Sequence, residues 1–157
     1  MRIDPAGYPF IAGALLAAIL VGSFASWAYS LPLFILAGFF LFFFRDPDRP
    51  STDTRAVVLS PADGRVMVAG PVTQQTVPAG NWQQVSIFLS PMDVHVNRTP
   101  VSGRVTKVDF RKGKFLPAYH QDAAAANERS EVWIHHGGLP IVFRQIVGSL
   151  ARGVVCR

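Results

Sequence analysis

One cysteine, Cys156, stands in the whole 157-residue sequence. It excludes a disulfide within the chain and suits a reducing compartment without requiring one. From Pro5 to Phe44 there is no Asp, Glu, Lys, Arg or His. That absence excludes the ordinary surface helix of a soluble domain, which keeps a charged face. His120, His135 and His136 lack a cysteine or carboxylate partner at ligand spacing, so no metal is assigned. Internal repeats and low-complexity tracts are also missing.

What is present divides in two: an apolar membrane anchor over residues 1–50 and a β-rich domain over residues 51–157. Tyr8 and Trp27 bracket the first apolar stretch, nineteen residues apart. As a helix that is about 29 Å, close to the roughly 30 Å hydrocarbon core, with an aromatic at each interface. A signal peptide fits less well, because the small residues Ala25 and Ser26 are followed by more apolar sequence. Ser30-Leu31-Pro32 reads as a break, after which Leu33–Phe44 as a helix reaches only about 18 Å. The stretch ends on Phe42, Phe43 and Phe44, expected at the membrane. Two arrangements follow: one span continued by an interfacial helix, or a helical hairpin. Arg2, Arg45 and Arg49 lie at the outer flanks and none lies in the connector. That favours a hairpin with both ends, and the following domain, on the cytoplasmic side of the cell membrane. The net charge is +5, with a second basic cluster at Arg104, Lys107, Arg111, Lys112 and Lys114. Beside an anchor, anionic lipid is the better partner than nucleic acid, at roughly 1 kcal/mol per well-placed Lys or Arg. The plainer alternative is a solvated basic loop.

The remainder, about a hundred residues, suffices for one modest core. Strands are expected at Val57–Leu59, Arg65–Ala69, Gln84–Leu89, Gly103–Phe110, Glu131–His135, Ile141–Val147 and Gly153–Cys156. Turn signals separate them: Asp63-Gly64, Gly70-Pro71, Pro78-Ala79-Gly80 and His136-Gly137-Gly138. Only Ala123–Arg129 reads as helix. The expected fold class is mainly β, a small barrel or sandwich behind the apolar anchor.

Two loops look unlike scaffold: Ser60-Pro61-Ala62-Asp63-Gly64, and Ser90-Pro91-Met92-Asp93-Val94-His95-Val96-Asn97-Arg98-Thr99-Pro100. Each follows an apolar strand with Ser-Pro and then an acidic group, where a rigid sheet would hold chemistry on a loop. Taken alone, Asp-Gly is an ordinary turn and a histidine after a strand an ordinary structural group.

Together with Phe43-Phe44-Arg45-Asp46-Pro47, Gly113-Lys114-Phe115-Leu116-Pro117-Ala118, Asn127-Glu128-Arg129, Gln145-Ile146-Val147-Gly148 and Ala151-Arg152, these segments resemble the short bacterial phosphatidylserine decarboxylases. The resemblance implies a self-processing lyase whose precursor is cut at a Gly-Ser bond. The serine becomes a pyruvoyl group on a small partner chain, and this chain resembles the large one. The pyruvoyl carbonyl would take up the amine of phosphatidylserine and draw off electrons as carbon dioxide leaves, giving phosphatidylethanolamine.

By the same resemblance, Asp63 orients a histidine, and His95 is the matching one. Longer relatives carry a second histidine where this chain has Arg98, so His95 is open to cleavage, decarboxylation or both. Arg98 meets a substrate phosphate or carboxylate, or else pairs with Asp93. Phe115 and Lys114, beside Arg111 and Lys112, form a lipid-contacting loop or one packed on its own domain. Asn127-Glu128-Arg129 reads as structural. Gly148-Ser149 does not match the family's cleavage position, so the processing serine is expected beyond Arg157, in a missing C-terminal part. A homo-oligomer is left open. Two other readings compete. One is a non-catalytic, membrane-anchored lipid-binding module on the same scaffold. The other is a biotinyl or lipoyl carrier domain, which Lys107, Lys112 and Lys114 do not suit because none lies at a tight hairpin tip.

Overall fold

The computed structural model describes residues 2–50, 57–72, 80–120, 122–149 and 151–156. They divide into two compact units. The first comprises Met1–Pro50, Ala62–Arg65 and Leu89–Arg98; the second comprises Ser51–Pro61, Val66–Phe88 and Thr99–Arg157.

The first unit is built on a helical hairpin. Strand β1 (Arg2–Ile3) leads through a 3-10 turn at Pro5–Gly7 into α1 (Tyr8–Phe24). Helix α2 (Trp27–Phe43) returns, and β2 (Arg45–Asp46) closes the base by pairing antiparallel with β1, Arg2 opposite Asp46. The backbone N–H of Asp4 adds a bond to the Phe44 carbonyl at 2.8 Å. The two apolar helices thus fold back on each other as an antiparallel pair.

The helix break falls at Ala25–Ser26 rather than at Pro32. Ser26 is extended, and its Oγ accepts from the Ala28 N–H at 3.3 Å, a serine N-cap. Pro32 lies inside α2. Early in the helix it forfeits one bond, to the Ala28 carbonyl one turn back, and the helix continues. Helix α2 therefore has 17 residues, about 26 Å, longer than the expected dozen. Pro5–Phe24, at 20 residues, is long and apolar enough to cross a membrane. Ala14, Ala18 and Gly22 recur every fourth residue and are buried, as are Ser30 and Ala37 on α2. Small side chains on one stripe let two apolar helices approach closely. A Cβ on Gly22 would come within 2.6 Å of the Trp27 ring. Near the base, Phe10 meets Phe40 and Phe44 at ring separations of 5.7 and 5.5 Å.

In the second unit, β3 (Arg65–Pro71) pairs with β4 (Gln83–Phe88). Strands β5 (Arg104–Arg111), β6 (Arg129–His136) and β7 (Leu139–Ile146) form an antiparallel sheet in that order. The turn between β6 and β7 is Gly137-Gly138, both at positive φ (54° and 85°), as a two-residue hairpin loop requires. A bulge at Thr106 lets Val105 and Val108, three residues apart, face Ile134 and Val132 on one side of the sheet. That side carries the core: Val101, Val132 and Ile134, with Ile141 and Phe143 packed on them. On the other side Glu131, 2 % exposed, is held by Arg129 at 3.0 Å and Arg144 at 3.1 Å. Farther out, the Arg111 side chain hydrogen-bonds Asp109 and, with Lys107, holds its carboxyl below the usual range.

Several expectations are corrected. Val57–Leu59 and Gly153–Cys156 are not strands; Leu59 N–H reaches only the Pro100 carbonyl, one bond and no ladder. The helix begun at Ala123 stops at Ala126, because β6 claims the backbone from Arg129. The turn expected at Pro78-Ala79-Gly80 lies partly outside the described residues. The chain after the hairpin is β-rich, but among the described residues its strands form small separate sheets and no barrel closes.

Candidate active site

Ser90-Pro91-Met92-Asp93 folds into a turn that spends its acidic group locally. The Ser90 N–H donates to Asp93 Oδ2 at 2.7 Å, and the Asp93 N–H donates back to the Ser90 carbonyl at 2.9 Å. Asp93 is thus not the partner of Arg98. Arg98 pairs instead with Asp46 and donates to the Pro47 carbonyl at 2.8 Å. This fixes the loop to the strand that ends the hairpin. Arg45 makes a second tie, donating to the Phe42 carbonyl at 2.8 Å and the Met92 carbonyl at 2.7 Å. Its guanidinium lies 3.8 Å from the centre of the Phe42 ring, a cation–π contact.

His95 sits between these ties. Its Nδ1 is 3.0 Å from the Asp93 carbonyl oxygen. A carbonyl only accepts, so Nδ1 carries the proton and Nε2 is the nitrogen left for acid–base work. The ring lies on Phe43, with centroids 4.2 Å apart and planes inclined by 32°. Asp63 pairs with Arg49, both side chains nearly half exposed. Among the described residues no hydrogen bond joins Asp63 to His95. Asn97, two residues beyond His95, holds its Oδ1 buried and, among the described residues, without a hydrogen-bond partner.

Asp63, His95 and Arg98 thus belong to one compact unit, together with the hairpin; Lys114 and Phe115 belong to the other. The loop bearing Lys114 and Phe115 is held by its backbone. Lys114 N–H donates to the Ala126 carbonyl at 2.8 Å, and Glu128 N–H to the Lys114 carbonyl at 3.0 Å. Asn127, 1 % exposed, brackets Leu116 through its Oδ1 and Nδ2, and Nδ2 also donates to the Val147 carbonyl. The structural reading of Asn127-Glu128-Arg129 agrees with this geometry. Gly113 lies so close that a Cβ would meet three backbone atoms of Ala126, Asn127 and Glu128 at 2.5 Å. Phe115 is left 41 % exposed.

Tyr8 and Trp27 are exposed. Phe42, Phe43 and Phe44 differ among themselves: Phe42 is exposed beneath Arg45, Phe43 packs on His95, and Phe44 stacks on Phe10. Sequence reasoning missed the contacts of Phe43, Arg45 and Asp46 with the histidine loop. Their only signal was the Phe43-Phe44-Arg45-Asp46-Pro47 motif, which carried a resemblance without a role.

A family model described as phosphatidylserine decarboxylase matches residues 36–157. A phosphatidylserine decarboxylase proenzyme of Symbiobacterium thermophilum is 43% identical over 150 residues, covering 95% of this chain and 69% of the relative. Proenzymes of the same name from Solibacter usitatus and Nitrosomonas europaea are 38% and 40% identical. They cover 99% and 96% of this chain, and 72% and 69% of their own lengths.

Proposed function

Since the chain belongs to the phosphatidylserine decarboxylase family, we propose that it is the membrane-held large-chain portion of a carboxy-lyase converting phosphatidylserine to phosphatidylethanolamine. The observation that carries the reading is His95, with Nδ1 held by the Asp93 carbonyl, in the same compact unit as the apolar hairpin. That combination suits acid–base chemistry on a lipid headgroup at a bilayer surface.

The family's pyruvoyl group, formed from a serine of the second chain, supplies an electron-withdrawing carbonyl next to the carbon that loses carbon dioxide. The residues here fit such a group. Nε2 of His95 is engaged by no described hydrogen bond, and the buried Asn97 Oδ1 is an acceptor without a donor among the described residues. His95 Nε2 would hold a proton and return it to the headgroup carbon after carbon dioxide departs. Asp63, beside Arg49, is the carboxylate assigned to processing, where a base must be oriented toward the cleaved bond. The commitment of Arg98 to Asp46 and Pro47 favours shaping of the loop over direct capture of a phosphate.

Lys112 and Lys114 would meet anionic headgroups while Phe115 enters the acyl boundary, on a loop whose backbone is already ordered. Arg2, Arg45 and Arg49 flank the closed base of the hairpin, which favours a cytoplasmic catalytic side. Val105, Val108 and Phe110 on the edge strand β5 are each about half exposed (50%, 56% and 52%). A second chain from the same precursor would cover them and extend the small sheets toward a barrel or sandwich.

The test is to change Asp63 and His95 separately to Ala in the full-length precursor. Processing is followed by intact mass, and decarboxylation by carbon dioxide release. Asp63→Ala is expected to slow or block processing. His95→Ala is expected to lower decarboxylation by about a hundredfold or more, in whatever fraction is processed. Normal cleavage and turnover in both would remove the assignment.

A further inference from the structure

We propose that Phe43, in the last turn of α2, is a positioning residue for His95. Its ring fixes the plane in which the Asp93-bonded imidazole presents Nε2. The inference rests on the acid–base role proposed for His95 and adds the group that orients it.

A single hydrogen bond from Nδ1 to the Asp93 carbonyl fixes which nitrogen carries the proton, but leaves the ring free to swing about that bond. A second contact on the ring face is needed to fix its plane. Phe43 makes that contact at 4.2 Å between centroids, a face contact slightly closer than the roughly 4.5–7 Å usual for aromatic pairs.

Phe43 is itself held on several sides. Its ring meets Phe39 at 5.9 Å and, edge-on, Phe44 at 5.2 Å. Phe44 N–H closes the helix end on the Phe40 carbonyl at 3.0 Å, and the Phe44 ring is stacked on Phe10 of α1. The histidine loop is tied to the same segment by Arg45 to the Met92 carbonyl and by Arg98 to Asp46 and the Pro47 carbonyl. Both partners of the stack therefore belong to one braced assembly, so the ring angle is set by the fold and not by the histidine's own rotamer. The orienting task that the family resemblance gave to Asp63 is met at His95 by the Asp93 carbonyl and the Phe43 face, while Asp63 itself is paired with Arg49.

The experiment uses processed full-length enzyme in vesicles of phosphatidylserine and phosphatidylcholine. Phe43→Leu, Phe43→Met and Phe43→Tyr are compared with wild type, with Phe34→Leu as a control for loss of a phenyl ring elsewhere on α2. Intact mass and membrane flotation confirm maturation and attachment, and the Met variant serves should the Leu variant fail to accumulate. Phe43→Leu or Phe43→Met is expected to lower kcat about three- to tenfold with KM little changed. Carbon-13 relaxation of the His95 ring should report increased ring motion, while its nitrogen-15 signals keep the Nδ1–H tautomer that the Asp93 carbonyl fixes. Phe43→Tyr should restore both readouts, and Phe34→Leu should match wild type. Wild-type kcat and unchanged ring motion of His95 in the Leu and Met variants would overturn the proposal. So would a Tyr variant as impaired as the Leu variant, since stacking would then not be what matters. His95→Ala in parallel separates the levels. If it stays active, the acid–base reading fails. If it is inactive while Phe43→Leu turns over normally, only the positioning inference fails.

Discussion

The candidate site residues and their charged neighbours are distinguished by what they are bonded to rather than by type. Asp93 and Asp63 are both loop carboxylates after Ser-Pro, yet Asp93 is consumed by its own turn and Asp63 faces Arg49. Arg98 chose Asp46 over the nearer-in-sequence Asp93. Among the described residues Glu131 is the most enclosed carboxylate, shared between Arg129 and Arg144. Removing one member of a buried ionic group strands the others without compensation. Glu131→Ala should therefore destabilise the second unit by about 3–5 kcal/mol, read as a lowered thermal midpoint. A midpoint within a degree of wild type would show that the cluster is stabilised mainly by water.

At the scale of elements, the glycines act as spacers. Gly113 permits the Lys114–Pro117 segment to run against the backbone of Ala126–Glu128. A methyl group there would push the segment off Asn127. Gly113→Ala should cost about 1–3 kcal/mol and loosen the loop, which amide exchange at Lys114 and Leu116 would report; unchanged protection would refute the spacing argument. The strands around Gly137-Gly138 were legible because two positive-φ residues between apolar runs signal a hairpin. The hairpin break was not. Pro32 is the louder residue, but a proline early in a helix costs one bond, whereas Ser26 supplies a cap and an extended backbone. Val57–Leu59 and Gly153–Cys156 have strand composition without a described partner strand, and composition alone cannot supply one. The histidine loop could be found from its residue types. That its ring lies on Phe43 could not, because a pairing of segments so far apart in the chain leaves no periodic trace in either one.

For the whole molecule, the apolar hairpin and the histidine loop share one compact unit, while the sheet with its basic loop forms the other. Residues 2–3 and 45–46 close the hairpin at its base, so removing it also removes the support of the histidine loop. Deleting residues 1–44 is expected to release the protein from membranes on flotation and, beyond that, to abolish turnover on detergent-dispersed phosphatidylserine, where attachment is no longer needed. Retention on membranes would assign anchoring to another surface. Full activity of the released form would separate the anchor from the site.

The stack of a helix-terminal phenyl ring on the imidazole has a kinetic corollary. With His95 as the proposed acid and the hairpin seated in a bilayer as proposed, that group would sample a plane and not a volume. Turnover is then expected to obey surface dilution: to track the fraction of neighbouring headgroups that are substrate, and to be indifferent to how much total lipid the suspension contains.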